Sequence, residues 1–184
     1  IIDYGMGNLR SISNKLRKIG FESVISSDNE VISKATKLIL PGVGHFAKGM
    51  QNLQEYDLIE ILNKKVLEEK TPILGICLGM QLFTNHSEEG DAKGLGWIKG
   101  KTIKFNPSLS NKIRIPHIGW NTIDYNRDSP LFDGFNRDYR FYFVHSYHVT
   151  LSNFEAALTT TFYGYDFVSS LNENNIFATQ FHPE

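Results

Sequence analysis

The chain has 184 residues, 41% hydrophobic and 21% charged, the balance of a folded globular protein rather than a disordered one. A formal net charge of −1 argues against a nucleic-acid or acidic-membrane surface. No apolar run approaches the roughly 20 residues of a membrane span. A single cysteine cannot close an internal disulfide, so a cytoplasmic setting is expected.

In chain order, Ile1–Tyr4 reads as a strand. Leu9, Ile12, Leu16 and Ile19 then recur at helical spacing, and Gly20 ends the helix. A strand around Glu22–Ile25 follows, then a short helical stretch and a buried strand at Lys37–Leu40, punctuated by "PGVG" at 41–44. Leu58, Ile59, Ile61, Leu62, Val66 and Leu67 mark another helix, broken by Pro72. Next come the strand "ILGI" and a helix starting near Leu78. Strands alternating with helices predict a parallel sheet covered on both faces. The second half is richer in strands: "IKGKTIKF", "WNTIDY", "YRFYFVHSYHV", "EAALTTTFY" and "NNIFATQF". The basic clusters Lys15, Arg17, Lys18 and Lys64, Lys65 fall in helical patterns and read as solvated faces. With no repeat, low-complexity tract or linker, residues 1–184 are expected to form one mixed α/β domain. The abrupt opening "IID" and closing "HPE" suggest residues missing from both ends.

The lone cysteine sits in Gly75-x-Cys77-x-Gly79, after an apolar strand and before a helix. That is the layout of a nucleophile elbow, where a strained turn lifts the side chain at the carboxyl edge of a sheet and small neighbours relieve the crowding. A helix N-terminus would also favour the thiolate. A lone cysteine without such context reads as a small buried hydrophobe. A thiolate needs a base and a group to orient it. Among six histidines, His182 stands out, because "QFHPE" places Glu184 two residues on and so on the same side of an extended segment. An isolated H-x-E is otherwise an exposed terminal turn. Oxyanion donors are offered by the backbone of Leu78 and by "PGVG", whose glycines permit unusual φ/ψ.

Two rival patterns are weaker. Gly5-x-Gly7 resembles the start of a dinucleotide fingerprint, but Arg10 stands where the third glycine belongs. His145 and His148 are possible metal ligands, yet on one strand residues i and i+3 face opposite sides.

With "GICLGMQL", the "PGVG" loop and "QFHPE" in order, the chain resembles the class I (triad-type) glutamine amidotransferases. "DYGMGNLRS", "LPGVGHF", "SEEG", "GLGWIKG", "IPHIGWN" and "FYFVHSY" narrow the resemblance to glutaminase subunits that serve histidine biosynthesis. The resemblance implies a flavodoxin-like α/β sandwich, with a mixed, largely parallel sheet flanked by helices. It implies Cys77 as nucleophile, His182 as base and Glu184 as its orienter, with backbone oxyanion donors at Val43, Gly44 and Leu78. Glutamine would be held at Gly42, Gly44, Gln81, Glu89, Ser146 and Tyr147. No cofactor or metal is implied. The implied partner is a (β/α)8-barrel cyclase that receives the ammonia, with Pro116, His117, Trp120, Asn121 and Tyr142 near the interface. Trp120 and Tyr142 read equally as core residues. In related glutaminases the "PGVG" strand rearranges to complete the oxyanion hole, and the partner favours that state. Close paralogues in the family instead supply ammonia for amidating a cell-surface sugar.

Overall fold

A computed structural model of the chain describes residues 1–109, 113–135 and 139–184. The first helix, α1 (Leu9–Lys18), turns Ile12 inward, while Lys15, Arg17 and Lys18 complement the negative end of its dipole. In α2 (Asn29–Ser33) the Asp28 carboxylate caps the amides of Glu30 and Val31. Then follow β1 (Leu38–Gly42), α3 (Phe46–Glu55), α4 (Leu58–Asn63) with a π turn at Lys64–Glu68, β2 (Ile73–Cys77) and α5 (Leu78–Leu82). The second half is almost all strand: β3 (Thr84–Ser87), β4 (Ala92–Lys93), β5 (Ile98–Lys104), β6 (His117–Thr122), β7 (Asp124–Tyr125), β8 (Arg140–His145), β9 (Tyr147–Leu151), β10 (Ala157–Phe162), β11 (Asp166–Glu173) and β12 (Ile176–Thr179).

The main sheet runs β1-β2-β12-β11-β9-β5-β3-β4, with β10 on β11 and β7 on β10; β6 and β8 form a separate ribbon. Two-residue periodicity divides its aliphatic residues between the two faces. Leu38, Leu40 and Ile73 join the large core with Leu53, Leu58 and Leu62, while Ile39, Leu74 and Ile76 pack with Ile12 and Leu16 of α1. In that large core Trp97 packs on Phe83 and its indole N–H donates to Asn63 Oδ1 at 2.7 Å. A second core is aromatic, built from Phe105, Phe141, Phe143, Phe167 and Phe181.

The expected α/β sandwich with a mixed sheet is present, but the parallel share is smaller than expected. Among the described residues, parallel pairing is found in β1–β2, β2–β12 and β3–β5, and the other named pairings are antiparallel. The cause is connection length: β10–β11 and β11–β12 are joined by links too short for the crossover a parallel pair requires.

Several expected elements differ. The strands at Ile1–Tyr4 and Glu22–Ile25 are reduced to one bridge, Ile2 with Ser26, although Ile2 N–H also reaches Ile39 O at 2.9 Å. Helix α3 was not expected, since Gly49 and its polar neighbours interrupt the apolar spacing. Strand β11 was not expected either. Its buried Ser169 and Ser170 are satisfied by Thr159 at 2.8 and 2.7 Å, so a central strand carries a polar pattern. The run 139–149 divides at Ser146 into β8 and β9. Lys65 is buried rather than solvated, because the π turn carries its ammonium to Ser33 O at 3.0 Å and Glu69 at 2.7 Å.

Candidate active site

The parallel register of β1 and β2 sets Gly42 beside Cys77 at the carboxyl ends of both strands. There the chain turns sharply into α5, and Cys77 adopts φ 54°, ψ −109°, a conformation that costs a residue with a side chain. The flanking glycines make the turn possible. A Cβ on Gly79 would collide with the carbonyl oxygen of Leu40, and one on Gly75 would lie 2.6 Å from the Phe83 ring. The elbow expected from Gly-x-Cys-x-Gly is therefore formed, with Cys77 only 5% exposed.

His182 reaches the same edge because β12 runs parallel to β2, with Thr179 opposite Ile76. Its amide donates to Tyr142 O of β8 at 3.0 Å, and its ring Nδ1 lies 3.1 Å from Glu184 Oε1. Nε2 is buried without a well-aligned hydrogen bond among the described residues, yet Cys77 is close enough to act on it. Burial works against a charged ring, but Cys77 and Glu184 together outweigh it and push His182 up to about 10. Burial likewise opposes the charged form of Glu184, and the hydrogen bond with His182 overcomes it, holding the carboxyl below its usual range. Tyr4 is driven the other way, its phenol raised by burial and then by the charge of Cys77.

A cavity of about 290 Å3 opens beside this edge. Of the sequence-predicted positions, Val43, Gly44, Cys77, Leu78, Gln81, Glu89, Ser146 and Tyr147 converge on it. Gly42 does not line it; that residue packs instead against Tyr4 and Leu78. His182 and Glu184 do not line it either; they lie half-buried beside Cys77. The Gln81 amide donates to Tyr147 O at 2.9 Å and to Gln180 Oε1 at 3.0 Å. Glu89 accepts the Phe46 amide at 2.7 Å, tying the loop after "PGVG" to the cavity wall, and Gly44 takes φ 109° within that loop. A larger groove of about 850 Å3 near Asp57 and Glu60 has neither a cysteine nor a histidine in its lining.

The residues expected at a partner interface separate. Trp120 is 67% exposed, so it is not core, and it meets Tyr142 edge-on across the ribbon at 5.7 Å. Ile118 lies opposite Val144 in the same register, giving one exposed apolar face next to the cavity. His117 departs from expectation. At 3% exposure it faces inward, stacked on Phe143 and Tyr163, because alternate residues of β6 point to opposite sides. Asn121 bonds inward to Phe162 O at 3.1 Å, and Pro116 lines the cavity itself. Val144 and His145 also line the cavity without having been expected there. His145 and His148 take separate partners, Tyr147 O at 2.8 Å and Tyr165 Oη at 2.9 Å, and no metal-ligand cluster occurs among the described residues.

The fold has known counterparts. The family model for class I glutamine amidotransferases matches residues 1–184, and the chain belongs to that family. Among its curated relatives is "Imidazole glycerol phosphate synthase subunit HisH 2" of Methanococcus maripaludis, 58% identical across all of this chain and 90% of the relative. "Imidazole glycerol phosphate synthase subunit HisH 1" of the same organism is 50% identical, again over the whole chain and 90% of the relative. A crystal structure of a glutamine amidotransferase superposes with a TM-score of 0.72 over 99% of this chain and 88% of that one; at 17% identity the likeness is one of fold.

Proposed function

We propose that the protein is the glutaminase subunit of an imidazole glycerol phosphate synthase in histidine biosynthesis. It hydrolyses glutamine to glutamate and ammonia, with residues 1–184 acting as one cytoplasmic glutaminase domain. The observation that carries this reading is the convergence of a strained, buried Cys77 at the wall of a cavity with the His182–Glu184 pair beside it.

In this scheme the Cys77 thiolate attacks the side-chain amide carbon of glutamine, and the amides of Leu78 and of Val43 or Gly44 receive the oxyanion. Imidazolium His182 gives its Nε2 proton to the departing nitrogen, releasing ammonia and leaving a γ-glutamyl thioester. Neutral His182 then takes a proton from water, which cleaves the thioester to glutamate and regenerates the thiolate. Glu184 holds Nδ1–H throughout, so that Nε2 faces the chemistry. Glu89 suits the substrate ammonium, while Gln81, Ser146 and Tyr147 suit its polar ends.

Ammonia free in water at neutral pH is mostly ammonium, which is not a nucleophile, so a (β/α)8-barrel cyclase docked here would receive it directly. The apolar face of Ile118, Trp120, Tyr142 and Val144, beside the cavity, suits such docking. One oxyanion donor is worth about 3 kcal/mol, or about 10² in rate, so holding the "PGVG" loop out of place until the partner binds would suppress idle hydrolysis.

Glutamate release should be measured with the protein alone, with the cyclase, and with the cyclase plus its ribulose-type nucleotide substrate. Strong stimulation in the full mixture is expected. The M. maripaludis relatives are numbered copies in one organism, which keeps a second acceptor in view. Absence of stimulation by the cyclase would redirect the ammonia to amidation of a surface sugar.

A further inference from the structure

Gln180 is fully buried just after β12, and the reaction scheme above does not use it. Its side-chain amide bridges two groups of the site: Oε1 accepts from Gln81 at 3.0 Å, and Nε2 faces Cys77 Sγ at 3.7 Å. Which end of an amide carries the hydrogens is decided by its partners, and here they leave no alternative. The Tyr147 carbonyl can only accept, so the group of Gln81 that meets it at 2.9 Å is the nitrogen. The same nitrogen reaches Gln180, which must answer with its oxygen and turn its nitrogen to the sulfur.

The Tyr147 carbonyl is itself held from a second side. His145 Nδ1–H donates to it at 2.8 Å, which leaves His145 Nε2 to accept from His117 Nδ1 at 3.1 Å. His117 Nε2 then accepts from Asn121 at 3.4 Å, on the ribbon that carries Trp120. Burial lowers His117 to about 4 and His145 to about 3, so both rings stay neutral near pH 7 and the row keeps one polarity.

We infer that Gln180 is a further catalytic residue, whose N–H donates to the Cys77 sulfur and stabilises the thiolate, with the row from Asn121 to Gln81 preventing the amide from turning over. A thiolate only accepts, so a fixed donor favours it over the thiol. Among the described residues, His182, with Glu184 behind it, also interacts with Cys77, as does Tyr4, whose hydroxyl is already given to Pro41 O at 2.7 Å. Gln180 therefore supplies a neutral donor that no change of pH removes, unlike His182.

The inference rests on Cys77 as the nucleophile of the proposed reaction, but its test does not need glutamine. Cys77 is the only cysteine, so iodoacetamide labelling of the whole protein reports on it alone. In Gln180→Met, of similar length but without the donor, the pH midpoint of alkylation should rise by about one unit, leaving roughly tenfold less thiolate below it. An unchanged midpoint in the folded variant overturns the inference. Should that variant fail to fold, the native protein still decides. It contains four glutamines, Gln51, Gln54, Gln81 and Gln180, and the side-chain amide NMR signal of Gln180 must move when Cys77 is alkylated. A Gln180 signal indifferent to alkylation would equally overturn it. A protein that shows the midpoint shift yet releases no glutamate with any partner keeps this inference and loses the glutaminase reading.

Discussion

The two halves of the site are held by different forces. Around β1, β2 and α5 the packing is aliphatic and parallel, and Cys77 is positioned by backbone strain that neighbouring glycines make possible. Around β6, β8 and β9 the packing is aromatic and antiparallel, and His145, His117 and the amide of His182 are positioned by hydrogen bonds. Steric placement has one solution, whereas hydrogen-bonded placement can be adjusted by whatever moves the strand supplying the partner. Cys77 is thus the fixed element. His182 follows β12, but its amide is tied to Tyr142 of the ribbon, whose outer face is exposed.

The sharpest division comes from Cys77→Ala, which should lower glutamate release by at least about 10⁴-fold while leaving the thermal unfolding curve nearly in place. Retained glutaminase activity in that variant would sink the triad. Gly79→Ala attacks the steric half, since the added methyl must displace Leu40 O. Unfolding in urea should show a loss of about 3 kcal/mol, and a neutral result would mean the elbow is not strain-held. Trp120→Ala attacks the adjustable half. Stability should stay within about 0.5 kcal/mol, while affinity for the cyclase falls by about 2 kcal/mol, roughly 30-fold in titration calorimetry. Equal affinity would move the docking surface elsewhere.

The smallest effect is a contrast in pH dependence. His117, His145 and His148 are lowered to about 4, 3 and 4 by burial, so between those values and 6.5 the unfolded chain binds more protons. Their contribution to stability is complete above pH 6.5 and is lost as pH falls through 4 and 3. His182 is raised to about 10, so the folded chain binds the extra proton between 6.5 and 10. Its contribution is complete below pH 6.5 and is lost as pH rises through 10. In His182→Gln the alkaline decline should flatten while the acid decline persists, as followed by thermal unfolding across pH. An unchanged alkaline limb would remove His182 from this account.

The parts of the fold set by steric and aliphatic patterning were legible in the sequence. Helix α1, strands β1 and β2, and the elbow at Cys77 all follow from apolar spacing and from glycine placement. What escaped reading was set by polar satisfaction or by tertiary contact. Strand β11 hides two serines that Thr159 satisfies, and α3 carries a glycine at its centre. His117 was expected near a partner interface from the resemblance alone, and its stacking on Phe143 and Tyr163 leaves no trace in local pattern. Ser146 breaks a strand where the cavity wall needs a bend, which alternation alone does not announce. The spacing that puts Ile118 with Trp120, and Tyr142 with Val144, on one face is present in the sequence, but alternation does not say which face meets solvent, and Trp120 and Tyr142 read equally as core.

The two tryptophans give the molecule an optical handle. Trp97 is enclosed, its indole bound to Asn63, whereas Trp120 stands in water on the ribbon. Emission from Trp120 alone should be open to quenching by acrylamide, and a protein covering the ribbon should shift it to the blue and shield it, with no label added.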